Sequence, residues 1–247
     1  MEDTTQRLNK YLANLGVASR RDIKILLKQQ IVTVNGERIK ESGFRIDPKK
    51  DDIRVNGKKI KQPELVYFLL NKPKGVVSTT ADEYGRKNVT SLIPTKERIY
   101  PVGRLDKETT GLLILTNDGE LTNALIHPKY HVNKVYRLKV EGKISVEQLC
   151  ALRNGVLLDD GITSPARVSI TRETHVFTLC EMTIYEGRNR QIRRMCETVG
   201  LRLVNLQRIN FGPLSLGSLG EGKYRKLTTD EIAVLKWNQK KKNKYIY

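Results

Sequence analysis

Asp106 is the carboxylate in this chain best placed to do chemistry. It ends the charged turn Gly103-Arg104-Leu105-Asp106, and the apolar run Thr109-Thr110-Gly111-Leu112-Leu113-Ile114-Leu115 follows almost at once. A turn of that kind holds an acid at the mouth of a strand. Arg104 and Lys107 flank it with positive charge, which favours a carboxylate over a carboxylic acid. An ionised carboxylate can act as a nucleophile or as a base. A surface Asp in a turn more often bonds only its own backbone, so the case for chemistry depends on its company.

Three other segments supply that company. Tyr67-Phe68-Leu69-Leu70-Asn71-Lys72-Pro73-Lys74-Gly75 reads as a strand ending in a basic turn. In Lys134-Val135-Tyr136-Arg137, strand alternation puts Lys134 and Tyr136 on one face and Arg137 on the other. An aromatic ring beside cations suits stacking on an unpaired base near phosphates, although core packing would use Tyr136 equally well. In Glu186-Gly187-Arg188-Asn189-Arg190-Gln191-Ile192-Arg193-Arg194-Met195, a helical period gathers Ile192, Met195, Cys196 and Val199 on one face. Arg190, Arg193 and Arg194 fall on the opposite face. Arginines at the positive end of a helix dipole make a phosphate site, and Gly187 permits a turn that aims Arg188 elsewhere, such as at a carboxylate.

These residues need elements to carry them. Leu8, Tyr11, Leu12 and Leu15 have the spacing of one helical face, and Gly16 can end that helix. Ser19-Arg20-Arg21-Asp22 opens a second helix as a capping box, with Arg20, Arg21, Lys24 and Lys28 along it. Asn35-Gly36 and Asn56-Gly57 each sit between short β-prone runs and predict tight hairpins. Residues 1–62 hold 15 basic and 8 acidic residues, a marked excess for a quarter of the chain. Two short basic helices followed by such hairpins resemble the alpha-L domain, the RNA-binding module named after the fourth small-subunit ribosomal protein.

Lys61-Gln62-Pro63-Glu64 reads as a linker. It divides the chain into residues 1–62, a second domain over 63–238, and a basic tail over 239–247 whose lysines (240–242 and 244) read as a frayed, solvated end. Strands are expected at 66–70, 76–80, 112–116, 135–140, 176–184 and 201–209. Helices are expected at 121–126, 145–153, 190–199 and from Thr228 to about Trp237. Thr228/Glu231 and Ser145/Gln148 form capping boxes. Strands and helices do not alternate strictly, so the expected class is α+β with a mainly antiparallel mixed sheet flanked by helices.

The 247 residues carry 45 basic against 27 acidic side chains, a formal net charge of +18. A field of that sign attracts polyanions, RNA and DNA first among them. No apolar run approaches the ~20 residues of a membrane span, and the N-terminus lacks signal-peptide character. Cys150, Cys180 and Cys196 are widely spaced and read as reduced core thiols of a cytoplasmic protein. Pro128 between His127 and His131 argues against one helix carrying both, and no metal is expected.

Taken together, Asn71-Lys72-Pro73-x-Gly75, Gly103-Arg104-Leu105-Asp106-x-x-Thr109-x-Gly111-Leu112-Leu113, Lys134-x-Tyr136 and Gly187-Arg188-x-Arg190-Gln191-Ile192-Arg193-Arg194-Met195 resemble the pseudouridine synthases, in which these motifs occur in this order. With the preceding alpha-L module, the chain is similar to the ribosomal RsuA/RluB/RluE/RluF branch over roughly residues 6–235. The resemblance implies isomerisation of a uridine in ribosomal RNA, by base flipping and without cofactor or metal. It implies Asp106 as the essential carboxylate, Tyr136 stacking on the flipped uracil and Arg188 in a salt bridge that orients Asp106. RNA contacts are expected from Arg20, Arg21, Lys24, Lys72, Arg104, Lys134, Arg190, Arg193 and Arg194. Asp118-Gly119-Glu120-Leu121 with His127-Pro128 points toward the large-subunit members. Ribosomal RNA or a pre-ribosomal particle is the expected partner and a monomer the default state. Two rivals stand beside this reading: a non-enzymatic RNA-binding or assembly factor, and a glycoside hydrolase with paired carboxylates. No second carboxylate in a comparable setting supports the hydrolase.

Overall fold

The computed structural model describes residues 5–29, 31–80, 82 and 84–244, with side chains to Trp237. The chain divides into two compact units, Met1–Val66 with Thr95–Arg98, and Tyr67–Pro94 with Ile99–Tyr247. The division falls a few residues beyond the linker expected from the sequence. The return of Thr95–Arg98 to the first unit carries no compositional signal, because it is only four residues long.

In the first unit, helices α1 (Leu8–Asn14) and α2 (Asp22–Lys28) precede a small sheet. Its strands are β1 (Val32–Val34), β2 (Glu37–Arg38), β3 (Ile53–Val55) and β4 (Lys58–Lys59), all antiparallel in the order β2-β1-β3-β4. Asn35 and Asn56 both have φ 52°, with Gly36 at 88° and Gly57 at 74°. Two successive positive φ values define the hairpin turn that Asn-Gly favours. Leu8, Leu12, Ile23 and Leu27 are fully buried against Val32 and Ile53, so the helical faces expected from spacing form the core. Asp22 N donates to Ser19 Oγ at 3.1 Å, the cap that turns the chain into α2. Arg20, Arg21 and Lys24 are exposed.

The second unit is built on one mixed sheet. Its strands are β5 (Tyr67–Lys72), β6 (Thr110–Thr116), β7 (Lys134–Glu141), β10 (Arg167–Glu173), β11 (Phe177–Ile184), β12 (Leu203–Phe211) and β13 (Tyr224–Lys226). The labels β8 (Leu157–Leu158) and β9 (Gly161–Ile162) mark a separate short hairpin. The sheet order is β10-β11-β7-β12-β6-β5-β13, with Tyr100–Pro101 and Leu214–Ser215 added beside β6 and β12. Only β6 and β12 pair in parallel among these described strands. The protein is therefore α+β with a mostly antiparallel sheet. Every residue of β5 and β6 is buried, which explains their near-continuous apolar runs.

Helices α3 (Gly119–Ile126), α4 (Val146–Asn154), α5 (Gln191–Thr198) and α6 (Thr229–Lys244) complete the unit. The capping boxes at Ser145/Gln148 and Thr228/Glu231 both form. Asp118 caps α3 by accepting from Glu120 N and Leu121 N, and Tyr67 donates its hydroxyl to the same carboxylate at 2.8 Å.

Three expectations are corrected and one strand was not foreseen. Residues 76–80 form no strand beyond an isolated bridge from Val77 to Asn88, because this stretch turns to meet the Asp106 loop. β10 gave no sequence signal because only Val168 of its seven residues is buried, and its pairing with β11 defines it. Cys150 is exposed, whereas burial pushes the Cys180 and Cys196 thiols up to about 11 and 12. Helix α6 continues to Lys244 through most of the expected tail. The side chains of residues 238–247 and the placement of 245–247 lie outside the described residues. No described helix is long and apolar enough to cross a membrane.

Candidate active site

Asp106 lines a cavity of about 400 Å³ in the second unit, together with Arg104, Lys134, Tyr136, Arg193 and Arg208. That volume falls in the ~300–1,000 Å³ range of small-molecule sites. The turn is held on both sides of the carboxylate. Gly103 has φ 74°, a conformation glycine adopts without strain. Leu105 N donates to Ser78 Oγ at 3.1 Å, and the Ser78 hydroxyl donates to Leu105 O at 2.8 Å. On the other side, Lys107 O accepts from Gly75 N at 2.9 Å and from Lys72 Nζ at 3.3 Å. Thr109 N closes the turn onto Asp106 O at 3.0 Å. One residue is thus fixed between two anchored neighbours, as a preorganised catalytic group requires.

Lys72 was expected to contact RNA and does not reach solvent. It is fully buried, with Nζ on Pro73 O and Lys107 O. Burial pushes its pKa down to about 8, against the pull of Glu108, Glu221 and Asp106. Its ammonium adds a second donor to Lys107 O, which Gly75 N also meets, and bonds Pro73 O, so it ties the 72–75 turn to the Asp106 loop.

Arg188 is the second correction. It lines the cavity, yet its guanidinium forms no bond to Asp106. Nη1 donates to Gly161 O at 2.8 Å and Asp160 O at 3.1 Å, and Nη2 donates to Ile162 O. Ion pairs to Asp160 and Glu186 complete its shell. Gly187 does aim Arg188 away from the helix, but toward the β8–β9 hairpin, whose carbonyls form a ready acceptor set. Arg194 also leaves the expected RNA face, binding the Asp160 carboxylate through two contacts of 3.0 Å.

The cation that reaches the Asp106 loop is Arg193. Its Nη2 donates to Glu108 O at 3.0 Å and Thr109 Oγ1 at 3.2 Å, while its Nε is buried without a partner. Arg188 lies before α5 and Arg193 within it, and the two arginines meet different loops, 160–162 and 108–109. Ile192, Met195 and Cys196 are buried as their spacing required, which turns Arg193 toward the cavity. Arg190 takes φ 48° at the start of α5, an uncommon geometry for a residue other than glycine, and stands exposed at the cavity rim with Arg104.

Tyr136 and Lys134 face the cavity together, and Arg137 lies on the other face with Glu181. Tyr136 is buried. Lys134 Nζ donates to Val132 O at 3.1 Å and lies 5.9 Å from the centre of the Phe211 ring. Burial, then the charge of Arg208, pushes the Lys134 pKa down to about 8. Sequence reasoning missed Arg208 and the loop anchor Ser78. The available signal for Arg208 was a lone arginine in the otherwise apolar or neutral run Leu203–Phe211. His127 also lines the cavity, while His131 does not. Among the described residues, no three His, Cys, Asp or Glu side chains gather as a metal-binding group.

The cavity thus sets a carboxylate on an anchored turn beside an aromatic wall and several cations, on a mixed sheet. The RNA pseudouridylate synthase family matches residues 66–198 and the S4 domain family matches residues 6–53. The chain belongs to the RNA pseudouridylate synthases and carries an S4 domain at its N-terminal side. It is 44% identical to the ribosomal large subunit pseudouridine synthase B of Bacillus subtilis, over 94% of this chain and 96% of that protein. It is 42% identical to an uncharacterized RNA pseudouridine synthase of Aquifex aeolicus, over 93% of each chain. A crystal structure of a pseudouridylate synthase superposes with a TM-score of 0.68 at 31% identity, covering 93% of this chain and 99% of that one.

Proposed function

We propose that this enzyme converts one uridine of large-subunit ribosomal RNA to pseudouridine, by base flipping and without a cofactor. The observation that carries the reading is Asp106, fixed between anchored residues in a cavity walled by Tyr136. The name of the Bacillus subtilis relative supports the large-subunit assignment. Asp118-Gly119-Glu120-Leu121, which pointed the same way, also serves as the cap of α3.

The target base leaves its stack at a cost of a few kcal/mol, least in a single-stranded loop. Tyr136 stacks on the extruded uracil. The N1–C1′ bond then breaks, and Asp106 either bonds to C1′ or takes the C2′ proton. The uracil turns within the cavity and C5 bonds to C1′; C5 loses its proton and N1 gains one. Reactant and product have the same composition, so the route balances without an added oxidant or metal. Arg193 holds Glu108 and Thr109, and through them the Asp106 loop. Arg104 and Arg190 at the rim, with Arg20, Arg21 and Lys24 of the S4 domain, contact phosphates.

Carbodiimide mapping of ribosomal RNA from cells with and without the gene tests this reading. One large-subunit uridine is expected to lose its pseudouridine signal and regain it on complementation. An unchanged map would overturn the assignment.

A further inference from the structure

Arg208 has no role in the reaction as drawn so far, yet it is the most deeply buried cation of the cavity wall, with 2% of its surface exposed. Its Nε donates to Leu112 O at 2.7 Å, which fixes the side chain against β6. Its Cζ lies 4.8 Å from the centre of the Phe211 ring. Its Nη2 is buried and has no acceptor. In the β7–β12 ladder Arg208 lies directly opposite Tyr136, so the two side chains share the cavity face of the sheet.

A buried donor without an acceptor is destabilising, and each one in a native structure calls for an explanation, a catalytic role among them. The depth of Arg208 selects the ligand group. A phosphodiester is tied to the chain on both sides and stays near the rim. An extruded base reaches the floor and brings carbonyl oxygens there. Resting on the uridine-isomerase reading above, we propose that Arg208 is a further catalytic residue, whose Nη2 donates to a carbonyl oxygen of the flipped uracil.

The bond strengthens as the reaction proceeds. When N1–C1′ breaks, its electron pair stays with the uracil and spreads from N1 to O2 and O4. Asp106 meets the deficit at the sugar by ester formation or by taking the C2′ proton, which returns as C5 bonds to C1′. Arg208 stabilises the uracil anion and transfers no proton. A fixed guanidinium beside a developing oxyanion acts in the transition state more than in the ground state.

The test uses full-length protein and an RNA fragment spanning the mapped uridine, under single-turnover conditions. Arg208→Gln is expected to slow conversion roughly 100-fold, the effect of losing one oxyanion donor, while fragment affinity changes less than about threefold. Because that variant also loses its bond to Leu112, the wild-type chain is assayed in parallel on fragments with 2-thiouridine or 4-thiouridine at the target. Sulfur is a poor acceptor, so one of the two is expected to react at least about tenfold slower than uridine, and Arg208→Gln to show no such difference. Equal wild-type rates on all three fragments would overturn the inference, as would a fall in affinity that matches the fall in rate, which marks a phosphate contact. Conversion by Arg208→Gln at the wild-type rate would overturn it alone. No conversion by the wild-type chain would overturn the isomerase reading as well.

Discussion

The two units use their positive charge in opposite ways. In the S4 domain, Arg20, Arg21 and Lys24 stand exposed on and before α2. In the catalytic unit, Lys72, Arg188, Arg193, Arg194 and Arg208 are turned onto carbonyls and carboxylates of the protein itself. The same residue type is surface on α2 and largely scaffold around the cavity, where Arg104 and Arg190 stay exposed at the rim. An exposed cation is screened and hydrated, and it gains most by displacing counterions from a polyanion. A cation over backbone carbonyls fixes a loop. Net charge therefore overstates how many cations are free for RNA in the catalytic unit.

The sharpest contrast comes from Asp106 itself. Asp106→Asn keeps size and polarity but cannot act as nucleophile or base. Conversion is expected to fall by about 10⁴-fold or more, with RNA affinity within about threefold. Parallel loss of affinity in a filter-binding assay would make the residue structural. Arg193→Met is expected to come next, slowing conversion roughly 100-fold by releasing Glu108 and Thr109. Its effect should lie in kcat, with the salt dependence of binding unchanged. A reduced salt slope would return Arg193 to the class of phosphate contacts and weaken the contrast between units.

Much of this site was legible from spacing, and the failures share one cause. The Asn-Gly hairpins, the capping boxes at Ser145/Gln148 and Thr228/Glu231 and the common face of Lys134 and Tyr136 follow from local geometry, and each formed; at Ser19/Asp22 only the Asp22 N bond of the box formed. Asp106 was singled out because its turn chemistry is local too. Arg188, Arg194 and Lys72 also meet partners that the sequence did not reveal, because those partners are distant in the chain. Asp160 lies 28 residues before Arg188 and Lys107 lies 35 after Lys72. No helical or strand period encodes those meetings. Gly111 shows the same limit from the other side. Its φ of 105° and its contact with the Arg208 backbone, where a Cβ would collide, belong to the parallel β6–β12 pairing. The motif contains the glycine, but only the sheet explains it.

In the S4 domain, a triple Arg20→Ala, Arg21→Ala, Lys24→Ala variant is expected to weaken binding to ribosomal RNA about tenfold. It should lower the slope of log affinity against log salt by roughly two to three, as three lost phosphate contacts require. The single-turnover rate at saturating protein should not change. A wild-type slope would mean that these exposed cations do not meet RNA, and the two units would no longer differ in the way described.

The smallest effect tests the scaffold side through pH. Burial and Arg208 push the Lys134 pKa down to about 8, whereas in the unfolded chain it returns to the ordinary lysine value. The folded state therefore binds this proton less tightly than the unfolded state. Its destabilising effect is full below pH 8 and fades as pH rises through 8 toward the unfolded value. Lys134→Met removes the charge and keeps an unbranched chain of similar length. Its melting temperature is expected to exceed that of the wild type by a few degrees at pH 7, with the gap narrowing by pH 9. Lys72 titrates in the same range but is present in both proteins, so its contribution cancels in the difference. A gap that stays constant across that range would show that Lys134 is solvated in the folded protein, and would place it with the exposed cations of the S4 domain.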